Sequence, residues 1–520
     1  MALNLLRTKS VEQSLNDADE PEYQLRKTLS AFDLTVFGIG VIIGAGIFTL
    51  TGRAAHNAAG PGVILSFILA AVCCALAAMC YAEFASTVPV SGSAYTFSYA
   101  ALGEIFAWII GWDLILEMFL AASVVAQGWS AYFGTFLDQI TGKATGQHVL
   151  PDVIANGANG NSVPFNIDLM AVLLVLVLGA IMIKGIKESM RLNRVLVILK
   201  VTIVLFVIIA GIAFINRNNW SPFIPTPVSP ESAGVAQMGG MTQPLLQWMS
   251  GSSPMIYGWG GVVAGAALVF FAYIGFDIVA TTAEEARNPK RDLPIGIIAS
   301  LVICTILYCV VALVITGMLP TSEIPQSAAL AQAFTLVGKP WIAIIISAGA
   351  VCGLTTVVLT MMIGSTRLLF AMSRDGFFPT PLAKVSPKTK TPLALGTIVT
   401  VVCAIVAGLT PVGILEEMVN VGTLAAFVLV SVAVIVLRKK RPDLQRPFKV
   451  PFMPVIPILS AAICIYLMLN LAVETWLRFL IWLVIGFAIY FGYSHWHTRM
   501  QTGKTLHDGA APVESAPVQE

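Results

Sequence analysis

Three ionisable residues lie inside long apolar stretches of this sequence, where a charged side chain is costly. Lys200 lies in the apolar run 195–216, and Asp113 and Glu117 lie four residues apart in the run 104–137. A spacing of four places both carboxyls on one face of a helix. Ionisable residues at such depth usually face the interior of a helix bundle, where they serve proton or ion transfer. Proton transfer is therefore the first chemistry that the sequence indicates.

Each of the three residues also has a structural alternative. Lys200 lies about five residues from the end of its span, so its stem can snorkel to the membrane interface. A buried Lys200, by contrast, is destabilised in its charged form and can release a proton. Asp113 and Glu117 can be structural, as a buried pair or protonated carboxyls, or functional, as a second proton site or a lining for cationic substrates. We predict that Lys200 carries the proton-coupling step, with Glu117 as the weaker candidate.

Glycines interrupt the first apolar run at mid-depth. Four glycines fall within 38–48, and each costs about 1 kcal/mol relative to alanine in a helix. One explanation is tight packing, because Gly40 and Gly44 form a small-xxx-small face. The other is an unwound stretch at Gly44-Ala45-Gly46 whose freed N–H groups face a cavity. Non-helical backbone survives at this depth only where it lines a cavity or is buried in protein.

Gly275 and Asp277 interrupt a second apolar run. Taken alone, this run is also consistent with a helix that has one packing glycine, and we interpret Asp277 as a helix cap rather than a ligand. The two interruptions would begin two five-helix halves, and matching interruptions in two halves indicate a transporter's binding site. The half-helix after Gly46 would offer its N-terminus to a carboxylate, and carbonyls near Phe271 and Ile274 would suit an ammonium group. A zwitterionic amino acid fits both ends.

Membrane helices are the elements that must position these residues. The chain has 520 residues, 57% hydrophobic and 11% charged, whereas a soluble domain has about 25% charged residues. We predict an all-α membrane protein of about twelve transmembrane helices, with a five-plus-five inverted repeat, broken helices 1 and 6, and two extra C-terminal helices. The predicted spans are about 32–57, 62–88, 104–137, 166–184, 195–216, 258–283, 294–319, 340–372, 392–410, 413–437, 454–473 and 477–497.

Positive charges fall mainly on one side of the predicted membrane. With twelve spans, 24 Lys and Arg residues lie on the side of both termini and five lie on the other, while Lys200 lies within a span. Cytoplasmic loops carry an excess of Lys and Arg. We therefore predict a multi-pass protein of the cell (inner) membrane with both termini in the cytoplasm.

The chain divides accordingly into six parts. The loop between the halves is rich in Gly, Pro, Asn and Ser, and the last residues are polar. The parts are 1–31, a cytoplasmic N-terminal segment; 32–216, the first inverted repeat (helices 1–5); 217–257, an extracellular loop; 258–437, the second inverted repeat (helices 6–10); 438–497, helices 11–12; and 498–520, a disordered cytoplasmic tail.

Several function classes find no support in the sequence. All eight cysteines fall inside predicted spans, so we expect buried free thiols rather than a disulfide framework or a metal site. The sequence contains neither a nucleotide-binding P-loop nor a nucleophile–base constellation, which argues against an ATP-driven pump or an enzyme. We expect no cofactor, no metal and no nucleic acid partner. The expected partners are a small-molecule amino acid, protons and the lipid bilayer, and a small membrane subunit or a homo-oligomer is left open.

Several stretches, taken together and in this order, carry a resemblance to a known family. They are 38–48, 81–83 with 89–95, 111–117, and 270–277 running into 283–294. The chain resembles the bacterial members of the cationic amino acid transporter family, within the amino acid–polyamine–organocation superfamily. The resemblance covers nearly the whole chain. It implies the inverted-repeat fold, amino acid substrates and alternating access.

The resemblance also implies roles for individual residues. The Phe271 ring corresponds to a gate over the substrate. Lys200 stands where sodium-driven relatives hold an ion, so its ammonium group can mimic sodium against carbonyls of the first helix. The implied ligands are Ile43, Gly44, Ala45, Gly46 and Ile47 for the substrate carboxylate, and the carbonyls of Phe271, Ala272 and Ile274 for its amino group.

Three functions follow as hypotheses. The first is secondary active uptake of amino acids with protons. The second is exchange of one amino acid or polyamine for another without net proton movement. The third is a membrane-embedded sensor or enzyme, for which neither a catalytic constellation nor a signalling domain is visible.

Overall fold

The computed structural model describes residues 7–8, 27–89, 93–142, 149, 167–185, 190–233, 235, 239–386, 389 and 391–498. Within these residues the fold is helical, and β-structure is limited to isolated bridges such as Leu29 with Ala286. The predicted all-α class is therefore confirmed. The helices of six or more residues are α1 Ala31–Ile42, α2 Val63–Thr87, α3 Ser93–Ala101, α4 Glu104–Ile140, α5 Leu169–Ile183, α6 Met190–Ile212, α7 Leu245–Ser250, α8 Gly258–Val269, α9 Pro289–Met318, α10 Ala329–Leu336, α11 Pro340–Arg374, α12 Leu393–Leu409, α13 Val412–Lys440, α14 Val455–Leu469 and α15 Val473–Ile489.

Many of these helices are suited to cross a membrane. Among the described residues, eight helical stretches are long and apolar enough to do so, and α1, α5, α12 and α14 are shorter apolar helices. Helix α4 has 37 residues, so at 1.5 Å per residue it is about 55 Å long. It must tilt or extend beyond the bilayer, as the long predicted spans indicated. The count of twelve and the inverted repeat remain predictions, and 499–520, most of the predicted tail, lies outside the described residues.

Helix α1 begins at a capping box. The Asp33 N–H donates to Ser30 Oγ at 3.3 Å, and the Ser30 N–H donates to Asp33 Oδ2 at 3.1 Å. This reciprocal pair satisfies two donors that the helix start would otherwise leave open. The Arg194 guanidinium of α6 donates to Asp33 Oδ1 at 2.7 Å. The start of α1 is thereby joined to α6.

Small residues allow the helices to approach closely. Helix α4 packs along α11 and α13, and α9 packs along α1 and α2. A Cβ at Gly38 of α1 would lie 2.6 Å from Ser300 Oγ of α9. Glycine is therefore needed at position 38 for helix packing.

The outer faces of several helices are apolar. Ile209 of α6 is 72% exposed and Val484 of α15 is 65% exposed. Such faces are stable against lipid tails, while every backbone polar group inside a helix is satisfied internally.

One prediction about the cysteines is wrong. Cys352 of α11 is exposed and Cys309 of α9 is half-buried, whereas the other six cysteines are buried. A thiol is weakly polar and is tolerated both in the core and at an apolar outer face. Hydrophobicity alone therefore does not distinguish buried positions from outward-facing positions in this chain.

Candidate functional site

The first apolar segment is interrupted where the glycines predicted an unwound stretch. Helix α1 ends at Ile42, and Ile43 adopts φ −73° and ψ 88°, which is not helical. Helical structure resumes with the segment Gly46–Leu50. We call residues 43–45 the first break. The N–H groups at the start of the following segment have no partner in a preceding helical turn.

The second apolar segment is also interrupted. Helix α8 ends at Val269, a 3₁₀ turn covers Phe270–Tyr273, and another 3₁₀ segment covers Asp277–Glu285. Residues 274–276 between them form the second break. Gly275 has φ +116°, a conformation that favours glycine.

Asp277 stabilises the second break. Its Oδ1 accepts a hydrogen bond from the Gly275 N–H at 3.2 Å. Asp277 therefore has a structural role at the break, but it does not cap the following segment, whose N-cap is Phe276 without a side-chain cap hydrogen bond. The Phe271 carbonyl accepts from the Ile274 N–H at 3.2 Å. Ile274 has an extended conformation (φ −60°, ψ 137°), so its carbonyl lies outside a regular helical hydrogen-bonding pattern.

Both breaks reach one small cavity, which is lined by Gly44 and Ala45 of the first break and by Ile274 of the second. The segments next to the breaks also approach each other closely, because a Cβ at Gly46 would lie 2.3 Å from the Ala272 Cα, so only glycine permits this approach. The cavity has a volume of about 10 Å³, which is room for about one water molecule. The residues that line it are Val41, Ile42, Gly44, Ala45, Gly46, Ala121, Val125, Phe271, Ile274, Val357 and Met361.

Most of the predicted site residues lie at this cavity. Gly44, Ala45, Gly46, Phe271 and Ile274 line it. The structure places the other three predicted residues in buried positions beside the cavity but not among its lining. These three are Ile43, Ile47 and Ala272.

Sequence reasoning missed four lining residues on neighbouring helices. They are Ala121 and Val125 of α4 and Val357 and Met361 of α11. One signal could have found the first two. Asp113, Glu117, Ala121 and Val125 follow one another at intervals of four, which places them along one face of α4. The apolar sequence of α11 contains no such signal.

Lys200 is bonded to the carbonyl end of α1. Its side chain is buried, and Nζ donates to the Gly40 carbonyl at 2.7 Å. This placement does not fit snorkelling to the interface. Gly353 of α11 leaves space for the lysine stem, because a Cβ there would lie 3.0 Å from Lys200 Cγ.

Two tyrosines that the sequence analysis did not single out also hold the first break. The Tyr308 hydroxyl of α9 donates to the Ile42 carbonyl at 2.7 Å, immediately before the break. The Tyr132 hydroxyl of α4 donates to the Phe48 carbonyl at 2.6 Å, immediately after it. With Lys200, three helices therefore fix the main chain on both sides of the break.

Asp113 and Glu117 are buried beside further polar groups. Glu117 lies next to the Thr423 hydroxyl of α13 and interacts electrostatically with Asp277 and Asp113. Within the described chain, neither carboxyl oxygen of Asp113 has a hydrogen-bond partner, and the buried Tyr81 hydroxyl of α2 also has none. This cluster, formed by four different segments, does not line the cavity.

Polar contacts also join segments on both sides of the cavity. On one side of the cavity, Arg53 forms an ion pair with Glu416 of α13, whose side chain is 1% exposed. On the other side, the Thr28 and Leu29 N–H groups each donate to the Glu285 carbonyl at 2.9 Å. These contacts tie the chain before and after the first break to different parts of the bundle.

Comparisons with known proteins agree with this architecture. The family model described as amino acid permease matches residues 29–492. A methylthioribose transporter of Bacillus subtilis (strain 168) is 44% identical over 497 residues, which cover 96% of this chain and 99% of that protein. A branched-chain amino acid permease of the same organism is 47% identical over 505 residues, with the same two coverages. The vacuolar cationic amino acid transporter 4 of Arabidopsis thaliana is 36% identical over 441 residues, 85% of this chain and 68% of that protein.

Proposed function

The chain belongs to the amino acid permease family, and we propose that it takes up amino acids together with protons by alternating access. It is an integral membrane protein whose relatives are permeases and transporters rather than enzymes. The observation that carries the proposal is the meeting of two broken helices at one small cavity. Broken helices at matching positions are the membrane form of a helix-terminus binding site.

The two breaks would hold opposite ends of the substrate. The N–H groups of Gly44, Ala45 and Gly46 stand at a positive helix end, which suits the substrate carboxylate. The Ile274 carbonyl would accept from the ammonium group, and the Phe271 and Ala272 carbonyls lie next to it in the chain. A carbonyl has two lone pairs, so the Phe271 oxygen can accept a second hydrogen bond. Main-chain recognition of this kind accommodates many side chains.

Lys200 would couple proton movement to the position of α1. The ammonium group donates to Gly40, and a charged donor forms a stronger hydrogen bond than a neutral amine. Loss of the proton would therefore loosen α1 from α6. Glu117 is the weaker candidate for a second proton site, supported by its burial one helical turn from the buried Asp113, since closely spaced buried carboxyls favour a shared proton over two charges.

Alternating access would use the contacts at the two ends of the bundle. Opening of the Arg53–Glu416 pair would admit solute from one side, and opening of the Thr28–Glu285 contacts would release it on the other. Phe271, which lines the cavity, would serve as the gate over the substrate. Only one of these two sets of contacts would open at a time, because a path open at both ends would dissipate the proton gradient.

The test is uptake into liposomes that contain the purified full-length protein. With an inward proton gradient, we expect the wild-type protein to concentrate radiolabelled alanine or valine, and Lys200→Met to lose this accumulation. Ile203→Met, one turn further along α6, keeps side-chain volume and removes no hydrogen bond, so it should retain uptake.

Two results would contradict parts of the proposal. Full pH-dependent, concentrative uptake by Lys200→Met would remove the coupling role from Lys200. Trans-stimulated uptake by the wild-type protein without any net proton movement would replace symport with exchange.

A further inference from the structure

We propose that the segment between α13 and α14 binds anionic phospholipids of the surrounding membrane through three lysines and one phenylalanine. The lysines are Lys439, Lys440 and Lys449, whose ammonium groups contact the lipid phosphates. The ring of Phe452 enters the membrane interface beside them. We call residues 438–454 the basic segment. The inference concerns the lipid partner of the protein and is independent of the solute that the two breaks would hold.

The basic segment carries a large excess of positive charge. It contains six Lys and Arg residues and a single acidic residue, Asp443. It follows α13 directly, on the side of the membrane that the charge distribution predicts to be cytoplasmic. A cluster of about four to eight Lys and Arg residues at this place next to a membrane helix is typical of a binding site for anionic lipid headgroups.

The three arginines of the segment are paired within the protein. Arg438 Nε donates to Glu83 Oε1 of α2 at 2.7 Å, and Arg446 Nε lies 3.5 Å from the same oxygen. Arg441 forms an ion pair with Asp443 at 2.8 Å. These two carboxylates compensate only two of the six positive charges, so the excess charge is carried by the lysines.

The three lysines present their ammonium groups at the surface. Lys439, Lys440 and Lys449 are all exposed. The ion pairs that the described chain forms in this region involve the arginines and not the lysines. Lys440 Nζ makes one long hydrogen bond, to the Ala101 carbonyl at 3.5 Å. The lysine charges are therefore available to an anionic partner outside the protein.

A buried carboxylate holds the two ends of the basic segment together. The Val450 N–H donates to Glu83 Oε2 at 2.7 Å, and the Val450 carbonyl accepts from Arg438 at 3.1 Å. Val450 thus lies beside Arg438. Their chain neighbours Lys449 and Lys439 lie near the same point, although they are ten residues apart in sequence. Two lysines that are fixed in this way can contact the same lipid headgroup.

Phe452 provides an independent indication of a lipid partner. Its side chain is 80% exposed and its φ is +46°, a conformation that is an outlier for a bulky residue. Val455, which begins the apolar helix α14, is 61% exposed. An exposed phenyl ring is unfavourable in water, whereas at the start of a membrane helix it can enter the boundary between headgroups and acyl chains. Strained residues of this kind persist where a site needs them.

The positive charge alone has a second explanation, because cytoplasmic loops carry an excess of Lys and Arg that sets the membrane topology. That rule requires neither a fixed main chain nor a strained, exposed ring beside the lysines. The Glu83 contacts and Phe452 therefore favour a lipid-binding site over a topology signal.

Lipid binding can be measured by native mass spectrometry of the purified full-length protein, which counts the lipids bound at a defined lipid concentration. The probes are phosphatidylglycerol, which is anionic, and phosphatidylcholine, which is zwitterionic. Each lysine near an anionic lipid surface contributes a factor of about five. We expect the wild-type protein to bind phosphatidylglycerol about a hundredfold more tightly than phosphatidylcholine. The variant Lys439→Gln/Lys449→Gln should lose about 25-fold in phosphatidylglycerol affinity and keep its phosphatidylcholine affinity.

Two further variants test the place and the mode of binding. Lys290→Gln/Lys384→Gln is the matched control, because it removes two exposed lysines from the same predicted side of the membrane but from other segments. It should keep the wild-type affinity for both lipids. Phe452→Asn removes the ring and keeps a residue that tolerates positive φ. It should weaken both lipids about tenfold, because the lost contact is apolar.

Three results would overturn the inference. Equal affinities of the wild-type protein for the two lipids would show that charge does not select the lipid. An equal loss of phosphatidylglycerol affinity in the two double variants would show attraction to the whole positive surface rather than to the basic segment. Unchanged affinities in Phe452→Asn would remove Phe452 from the site.

Discussion

Replacing Gly46 with alanine tests whether the segments next to the two breaks must touch. A Cβ at position 46 would lie 2.3 Å from the Ala272 Cα and 2.4 Å from the Ala272 Cβ. Carbon atoms in contact are about 3.5–4.0 Å apart. The two segments would therefore have to separate by roughly one ångström or more. The obstructing atoms are the main chain and the Cβ of Ala272, so there is no flexible side-chain end that could move away.

The expected loss follows from this overlap. Overpacking a tight interior costs typically about 1–3 kcal/mol, and a contact with backbone belongs at the upper end. If the closed, substrate-holding arrangement is weakened by about 3 kcal/mol, its occupancy falls by about a hundredfold. We expect Gly46→Ala to lose amino acid uptake in liposomes to this degree and to lower the midpoint of thermal unfolding.

Gly128→Ala in α4 is a matched control. A Cβ there would lie 3.4 Å from the Ala45 Cβ, close to an ordinary contact, and alanine favours helix over glycine. This variant should keep most of its uptake. Gly46→Ala with near wild-type uptake and an unchanged thermal midpoint would refute the reasoning that the breaks form one site by direct contact.

Two further predictions concern the contacts that hold the first break in place. Tyr308→Phe leaves the carbonyl before the break without its hydrogen-bond donor, a loss of about 1–3 kcal/mol, and should raise the KM for uptake about tenfold. Tyr273→Phe is the control, because the Tyr273 hydroxyl donates to α2 instead, and its KM should not change. An equal KM in both variants would contradict this role of Tyr308. Arg53→Gln leaves Glu416 buried without its cation, which costs about 3–5 kcal/mol, and should increase amide hydrogen exchange in residues 46–59. The control Arg478→Gln breaks a half-exposed ion pair. Equal exchange in both variants would contradict a closing role for Arg53.

The breaks and the lysine could be predicted from the sequence because each violates a local rule. Glycines in the middle of a membrane span destabilise a helix, and Lys200 is costly in an apolar run. Such residues persist where a site needs them. The sequence therefore indicated Gly44–Gly46, Gly275 and Lys200, and the structure brings the two glycine-containing breaks together.

The cavity lining on α4 and α11 could not be predicted in the same way. Val357 and Met361 are apolar residues in an apolar helix, and they differ from lipid-facing neighbours only in the direction in which their side chains point. That direction depends on how α11 packs against α4, which is a long-range property. Ile47 was expected at the site and does not line the cavity, because side chains in a helical segment point in successive directions. Ile43 was also expected there, but it lies in the non-helical first break and does not line the cavity either.

The tyrosine anchors were missed for a related reason. Tyr132 and Tyr308 lie far from the first break in sequence, and tyrosine is common in membrane helices. Their role appears only when three helices converge on the main chain of one segment. A buried tyrosine hydroxyl usually finds a partner, but sequence alone does not identify that partner.

The most direct test of the central claim is an experimental structure of the full-length protein with bound L-valine. The account predicts that the valine carboxylate lies within hydrogen-bond distance of the N–H groups of Gly44–Gly46 and that its ammonium group lies against the Ile274 carbonyl. Valine bound away from both breaks, or held through its ammonium group by Glu117, would contradict the claim that two broken helices form the binding site.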